Sequence, residues 1–329
     1  MLTQIRKHKW FIISLFFAVF LVFFRFNKGI IQQDNYVGYA EFLPSGVPNI
    51  SFYDSRLLPG LPILIYFLHF MTGNYYVAGY LLTLASVTGC YCLLYRLTKS
   101  TLSFLPLVFP PIMLNLASLI DTELPFIFLI VFAYFLLKKE KLKWAFLIIG
   151  LSVWFRLAGF AILGGFFVFM FLEKRSRMFF LNLPYFLIPV ILLCVYNIHY
   201  FGSQNPFYQL FTYEALHPSR ISIGFIQLIQ DSIRAFRWGW YRILVSGMFY
   251  IFVFVYLYFK AYKTKKLEFW IITCIYLFTL SVNLVPFLEN LGRYLAPTLP
   301  FFWMVFYSRF KSIKFLYLTI PLSVLIVLL

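Results

Sequence analysis

Acidic residues and arginines share the same few intervals of this sequence. Eight of the 11 Asp and Glu lie away from the lysine-rich clusters, as do nine of the 28 Lys and Arg, of which eight are Arg. A carboxylate can take a proton from a reacting hydroxyl, and a guanidinium binds phosphate through a planar fork of donors. These residue types together suit a site that handles a phosphate group and moves a proton.

The candidate site residues lie in five intervals that are far apart along the chain. They are Asp34, Asp54, Arg56, Asp121, Glu123, Arg156, Arg293 and Tyr294. Arg156 stands in the middle of the 29-residue apolar run 144–172. A charge there is costly unless it faces a wet or paired site, so the run favours a functional role.

The other candidates also have purely structural interpretations. Asp121 or Thr122 fits a cap for a helix that begins near Pro125, with Glu123 in the first turn complementing the helix dipole. Arg293 fits an anchor at the membrane interface, and Asp34 fits a solvated loop. The sequence alone leaves these alternatives open.

The bulk composition excludes a soluble domain. Hydrophobic residues make up 62% of the 329, charged residues make up 12%, and the mean hydropathy is +0.85. Apolar windows of about 20 residues recur along the chain, which predicts an all-α polytopic membrane protein. The net charge of +17 does not indicate nucleic-acid binding, because the positive charges are placed as topology signals. The four cysteines lie in apolar stretches and are expected to be neither disulfides nor zinc ligands.

Six positive clusters predict the orientation of the chain. They span residues 6–9, 96–99, 138–143, 174–177, 260–266 and 309–314. The positive-inside rule places all six in the cytoplasm, so an even number of crossings separates each pair. This condition gives about 11 transmembrane helices in a single domain over 1–329, with a cytoplasmic N-terminus. The predicted crossings are 10–26, 75–95, 102–120, 124–137, two within 144–172, 179–198, 243–259, 269–288, 294–307 and 315–329.

This topology brings the candidate residues to one face. The first outer loop, 27–74, includes the segment 57–71, which is short for a span and is predicted to lie in the outer interface as a juxtamembrane helix. Arg156 falls at the turn between the two helices of 144–172. The fourth outer loop, 199–242, contains 222–237, which suits an amphipathic interface helix with arginines at lipid phosphates. Sites on several loops of one face predict one shared cavity.

Four motifs in this order resemble the GT-C class of polyprenyl-phosphate-sugar-dependent membrane glycosyltransferases. That group includes protein O-mannosyltransferases, the lipid A aminoarabinose transferase and GPI mannosyltransferases. The motifs are Asp34-Asn35-Tyr36 with Ala40 in the first loop, Arg56-Leu57-Leu58-Pro59-Gly60-Leu61-Pro62 before an apolar segment ending at Gly73, Asp121-Thr122-Glu123 at a helix start, and Gly292-Arg293-Tyr294-Leu295-Ala296-Pro297 with Pro300 near the end. Protein O-mannosyltransferases carry two adjacent acids in the first loop, whereas Asn35 follows Asp34 here, so the resemblance does not identify the acceptor.

The resemblance implies a GT-C-like bundle that transfers a hexose such as mannose from a polyprenyl or dolichyl phosphate carrier. The acceptor is a hydroxyl of a glycan, lipid or protein outside the cytoplasm. Asp34 is then the catalytic base, and Arg56, Arg156 and Arg293 face the leaving phosphate. Asp54, Asp121, Glu123 and Tyr294 contact the substrates. A divalent metal ion is an alternative counter-charge for the phosphate, with Glu123 and His199 as its candidate ligands.

The resemblance further implies an integral membrane protein in contact with lipids and the lipid-linked donor. A bacterial plasma membrane is favoured over the endoplasmic reticulum, with the active site on the extracytoplasmic side. The prenyl tail is expected to lie along 57–71. A transporter or flippase of lipid-linked saccharides is the alternative function, and a noncatalytic assembly or sensor protein is a third.

Overall fold

The computed structural model describes residues 2–29, 31–32, 34–45, 57–108, 110–205, 208–209, 212, 224–264, 266–281 and 287–307. Within these ranges the chain is helical, and its β-structure is one isolated parallel bridge between Gln32 and Ile120. The predicted site residues Asp54 and Arg56 and the predicted last crossing at 315–329 lie outside the described residues.

The first half of the chain alternates long and short helices. They are α1 (Leu2–Asn27), α2 (Tyr36–Phe42), α3 (Gly60–Thr72), α4 (Tyr75–Thr98), α5 (Leu105–Val108), α6 (Pro111–Ala117), α7 (Glu123–Lys138) and α8 (Leu142–Ser152). The second half continues with α9 (Gly159–Leu172), α10 (Ser176–Phe201), α11 (Gly224–Arg237), α12 (Tyr241–Tyr262), α13 (Leu267–Ser281), α14 (Phe287–Leu295) and α15 (Leu299–Phe306).

Three helices in the described part of the chain are long and apolar enough to cross a membrane. They are His8–Asn27, Tyr75–Thr98 and Ser176–Phe201, and several shorter apolar helices accompany them. This all-helical architecture is compatible with a helical membrane protein. The number of about 11 crossings remains a prediction.

Prolines divide two segments that the sequence predicted as single crossings. The segment 102–120 is not one helix, because a 3₁₀ turn at Thr101–Phe104, α5 and α6 follow one another around Pro106, Pro110 and Pro111. The segment 294–307 is likewise split between the end of α14, a 3₁₀ turn at Ala296–Thr298, and α15. Proline lacks a backbone donor and fits the first turn of a helix, and Pro111, Pro297 and Pro300 each stand at the start of a new segment.

The run 144–172 forms two short helices, as predicted. Helix α8 ends at Ser152, helix α9 begins at Gly159, and Arg156 lies in the turn between them. The start of α3 packs on this turn, since the Gly60 N–H donates to the carbonyl of Trp154 at 2.9 Å. A Cβ on Gly60 would lie 2.7 Å from that oxygen, so the contact requires glycine.

Helix α3 has the short length that the sequence predicted for the segment 57–71. It begins after Pro59, spans 13 residues, and ends at Gly73, which has a left-handed φ of 67°. The Gly73 N–H donates to the carbonyl of His69 at 2.7 Å and closes the last turn. Thirteen residues rise about 20 Å, which is less than the hydrocarbon core of a bilayer.

Helix α11 turns its apolar face away from the protein. Its exposed side chains include Phe225, Ile229 and Ile233, which share one face at a spacing of four, whereas Gln227 on the other side is buried against the bundle. An outward apolar face on a helix that also carries Arg234 and Arg237 is typical of a helix in the membrane interface. The helix predicted within 222–237 is thus present, and its location in the membrane interface stays a prediction.

A spin label on α11 tests this placement. In a cysteine-free background, we expect a label at position 229 to be accessible to oxygen and shielded from a water-soluble relaxation reagent, because Ile229 faces the acyl chains. The adjacent Gln230, exposed at the polar edge of the helix, is the control position and should contact the aqueous reagent. Equal aqueous accessibility at the two positions would contradict the interfacial placement.

Candidate functional site

The isolated β-bridge aligns the segments that carry two of the candidate acids. The Ile120 N–H donates to the carbonyl of Ile31 at 3.1 Å, and Gln32 and Ile120 pair in parallel. Asp34 follows this bridge on one segment and Asp121 follows it on the other. One short pairing therefore brings the entrance of α2 beside the entrance of α7.

Local hydrogen bonds fix the chain around Asp34. The Tyr36 N–H donates to the Asp34 carbonyl at 2.8 Å, and the Val37 N–H donates to the Gln32 side chain at 3.0 Å. The Tyr36 ring is buried, and its hydroxyl lies 3.5 Å from the Thr122 hydroxyl. Helix α2 is thus attached both to its own loop and to the start of α7.

Gly38 allows Asn35 to fold over the first turn of α2. A Cβ on Gly38 would lie 2.4 Å from Oδ1 of Asn35, a distance that side chains do not adopt. The motif Asp34-Asn35-Tyr36-Val37-Gly38 is therefore compact because its glycine leaves room for the asparagine amide.

The structure confirms Glu123 in the first turn of α7, but it does not show the predicted capping side chain. Thr122 is the residue before α7, but its side chain makes no capping hydrogen bond. Asp121 Oδ1 instead accepts from the Thr122 N–H at 2.6 Å. The side chains of Asp121 and Glu123 are buried, and their charges are met by arginines from distant parts of the chain.

Arg293 joins all three carboxylates. Its Nη2 lies 3.0 Å from Oδ1 of Asp121 and 3.7 Å from Oδ2 of Asp34, and its Nε donates to Oε1 of Glu123. Arg156 also donates to Oε1 of Glu123 through Nη1. The cluster therefore connects α2, α7, the α8–α9 turn and α14. We call these five residues, Asp34, Asp121, Glu123, Arg156 and Arg293, the charged cluster.

Tyr294 lies at the edge of the charged cluster. The Arg156 guanidinium carbon is 5.9 Å from the centre of the Tyr294 ring. A cation held over an aromatic face gains electrostatic attraction, which helps to orient the guanidinium. Tyr294 thus contacts the site through Arg156.

Burial and charge act in opposite directions within the cluster. Burial, with Glu123 and Asp34 nearby, raises the pKa of Asp121 well above its ordinary value although Arg293 opposes this. Burial alone would also raise the pKa of Glu123, but Arg156 and Arg293 outweigh it and lower that pKa. Burial would lower the pKa of Arg293, yet Asp121 and Glu123 hold it well above its usual range. Of the two buried acids, Asp121 is thus the one whose protonated form is favoured.

A proton on Asp121 gives a hydrogen-bond donor to a pair of buried carboxylates that otherwise offer only acceptors. Oδ2 of Asp121 and Oε2 of Glu123 are both buried, and neither has a hydrogen-bond partner among the described residues. Two ionised carboxylates offer only acceptors, whereas a protonated Asp121 supplies a donor. We predict that Asp121 carries this proton in the folded protein, which leaves two carboxylates, those of Asp34 and Glu123, opposite the two guanidinium groups.

Paired variants test this protonation state. Asp121→Asn should change the free energy of unfolding by less than about 1 kcal/mol, because an amide keeps the acceptor toward Arg293 and a donor toward Glu123. Glu123→Gln should cost about 3–5 kcal/mol, because it leaves Arg156 and Arg293 short of a buried counter-charge. Thermal unfolding of the two purified variants in one detergent measures the difference. Equal destabilisation would show that Asp121 is ionised in the folded protein.

The structure brings together six of the predicted site residues, namely Asp34, Asp121, Glu123, Arg156, Arg293 and Tyr294. His199 lies near the end of α10, where its ring meets the edge of Tyr200 at 4.9 Å. Sequence reasoning gave no role to Gln32 or Trp154, although both position site segments. Gln32 accepts from the nearby Val37 N–H and pairs with the distant Ile120, and Trp154 accepts from the distant Gly60 N–H.

The donor set at the cluster does not fit a divalent metal ion. Two guanidinium groups already occupy the oxygens of Asp121 and Glu123 that face them. Within the described ranges, no group of three or more His, Cys, Asp and Glu is placed to hold a metal. Arginine is therefore the source of positive charge that these residues offer to a ligand.

Comparisons with protein-family models, with curated proteins and with solved structures found no match to this chain.

Proposed function

We propose that this protein is a GT-C-type membrane glycosyltransferase that moves a hexose, such as mannose, from a polyprenyl or dolichyl phosphate to an acceptor hydroxyl. The observation that carries the proposal is the placement of Asp34 within 3.7 Å of Arg293, with Arg156 on the same cluster. A carboxylate beside two guanidinium groups supplies the proton acceptor and the phosphate counter-charge that such a transfer requires.

Exposure separates the roles of the three carboxylates. The side chain of Asp34 is 18% exposed, whereas those of Asp121 and Glu123 are 1% and 0% exposed. Asp34 is therefore the carboxylate that an acceptor hydroxyl can reach. Asp121 and Glu123 act as positioning residues that hold the arginines.

The transfer proceeds by one displacement at the anomeric carbon. The acceptor oxygen forms a bond to this carbon while its proton passes to Asp34, and the bond from the carbon to the phosphate oxygen breaks. The electron pair stays on the leaving phosphate, whose added negative charge Arg156 and Arg293 stabilise. Positive charge builds up on the sugar ring in the transition state, as in glycoside chemistry generally.

The proposal includes the topology that the charge pattern predicts. The chain crosses a bacterial plasma membrane about 11 times, with the N-terminus in the cytoplasm and the charged cluster on the outer side. The acceptor is a glycan, lipid or protein on that side. The GT-C resemblance of the four motifs supports this arrangement, as does the meeting of three of them, those at Asp34, Asp121 and Arg293, in one cluster.

A flippase of lipid-linked saccharides is the second candidate. The observation in its favour is the pair of short helices α8 and α9, which meet at a charged turn around Arg156. Interrupted helices of this kind are frequent in transporters. The carboxylate next to Arg293 is not needed for lipid movement, so it favours the transferase.

The membrane leaflet that holds the donor lipid in a strain lacking the protein distinguishes the two functions. Loss of a transferase should leave acceptor molecules one hexose short, seen by mass spectrometry, and donor lipid open to a membrane-impermeant oxidant from outside. Complementation with Asp34→Asn should not restore the acceptor. Donor lipid trapped on the inner side, together with full complementation by Asp34→Asn, would overturn the transferase assignment.

A further inference from the structure

An apolar cavity lies between three parts of the bundle. It has a volume of about 320 Å³, and its walls come from α5 and the start of α6, from α12, and from α15. The described residues around it include Pro106, Val253, Leu257 and Phe302. The cavity belongs to a different part of the structure from α3, along which the sequence predicted the prenyl tail.

The cavity wall offers only carbon to an occupant. Among the described residues that line it, Tyr250 and Trp303 alone carry a polar side-chain atom. Trp303 Nε1 donates to the Ser103 hydroxyl at 3.2 Å, and the surface that the lining residues present to the cavity is almost entirely apolar. The described wall therefore offers an occupant almost no polar surface.

A wall of this chemistry selects a hydrocarbon chain. Water does not fill such a space, since it finds no polar partners there. A sugar or phosphate would lose its hydrogen bonds to water without replacement. A lipid chain, in contrast, gains contacts along every methylene that it places in the cavity.

A direct contact connects this cavity to the charged cluster. The ring of Tyr250, on the cavity wall, packs on Gly292, where a Cβ would lie 2.9–3.0 Å from three ring carbons. The next residue, Arg293, contacts Asp34, Asp121 and Glu123. The cavity wall and the charged cluster are therefore joined through two adjacent residues of α14.

We infer that this cavity holds the prenyl chain of the lipid-phosphate donor, with Tyr250 and Gly292 forming the junction between chain and phosphate. The inference rests on the proposed function, because the phosphate at Arg293 distinguishes the donor from bulk lipid. It places the tail between α12 and α15. An acyl chain of an ordinary phospholipid is the competing occupant.

Matched tryptophan variants on α12 test the inference. Val253 lines the cavity, whereas Val255, two residues later, is 45% exposed on the outer surface. Val253→Trp should raise the KM for a long-chain polyprenyl-phosphate hexose by about tenfold, since filling the cavity removes the contacts of roughly two methylene groups. Val255→Trp should leave it unchanged. For a water-soluble analogue with one isoprene unit, Val253→Trp should raise the KM less than it does for the long-chain donor, and Val255→Trp should match the wild type.

Photocrosslinking gives a second readout that does not depend on turnover. A polyprenyl phosphate with a photoreactive group on its chain should label peptides of α12 and α15 in the wild-type protein, and Val253→Trp should remove this labelling. Labelling confined to α3 would overturn the inference, as would labelling of the cavity by a photoreactive phospholipid that polyprenyl phosphate does not displace. Absence of turnover in the wild type would contradict the proposed function alone, because cavity labelling would still report the prenyl chain.

Discussion

Replacing Arg293 by Met should destabilise the protein by about 3–5 kcal/mol, because it removes one of the two guanidinium groups that pair with buried Glu123 and leaves Asp121 without its donor from Nη2. Turnover should fall with it, since the same guanidinium is proposed to face the leaving phosphate. Thermal unfolding of the purified variant measures the first effect, and donor turnover at a temperature where the variant remains folded measures the second.

Arg234→Met is the matched control for this substitution. Arg234 lies on α11, its side chain is 40% exposed, and its pair with Asp231 is 3.9 Å apart. An exposed pair of this kind contributes about 0–1 kcal/mol, so the control should unfold close to the wild-type temperature. Comparable losses in the two variants would show that Arg293 is not a central member of the cluster.

Lysine should not replace Arg293 fully. The guanidinium reaches Glu123 through Nε and Asp121 through Nη2, with Asp34 beside it. An ammonium group is a compact charge without this planar fork, so it satisfies fewer of these oxygens at once. We expect Arg293→Lys to fall between the wild type and Arg293→Met in both stability and turnover.

Asp34→Asn should lower turnover by about 10²- to 10⁴-fold with little change in the unfolding temperature. Turnover falls because the side-chain amide of asparagine does not take up the proton of the acceptor hydroxyl. Stability should persist because Asp34 is the most exposed acid of the cluster and lies 3.7 Å from Arg293. The rate of polyprenyl phosphate release measures the first effect.

Glu41→Gln provides the control in the helix that follows Asp34. Glu41 is exposed in α2, seven residues after Asp34, and it is outside the charged cluster. It should retain wild-type turnover. Normal turnover in Asp34→Asn would remove Asp34 from the role of base.

The meeting of Asp34, Asp121, Glu123, Arg156 and Arg293 was predictable because charge placement constrains a membrane chain strongly. The positive-inside rule places the lysine-rich clusters on the cytoplasmic side of the membrane. An even number of crossings must then separate each pair of clusters, which places the remaining charged intervals on the outer side. Arg156 was also identifiable, since an isolated charge within 144–172 needs a partner. The structure supplies that partner as Glu123.

Proline positions in the sequence indicate where two of the predicted crossings are interrupted, but a hydropathy average does not take them into account. Pro106, Pro110 and Pro111 stand within 102–120, and an apolar window treats them as ordinary members of a helix. In the folded chain these prolines interrupt the helix, because each lacks the N–H that would donate a helical hydrogen bond. Helices α5 and α6 result, and their bend forms part of the cavity wall.

The pairing of distant segments had no signal in the sequence. The Gln32–Ile120 bridge and the contact of Gly60 with Trp154 both join residues far apart in the chain. Such contacts depend on how whole helices pack, and a local pattern does not encode them. The position of the apolar cavity depends on the same packing, so the sequence could not indicate it.

The central claim is that this chain transfers a sugar from a lipid phosphate, and the release of polyprenyl phosphate by the purified protein tests it most directly. The wild-type protein in liposomes should release polyprenyl phosphate from at least one polyprenyl-phosphate hexose in a panel that includes mannose. Intact donor with every hexose, together with ATP-independent movement of these lipids between leaflets, would contradict the transferase and favour a flippase.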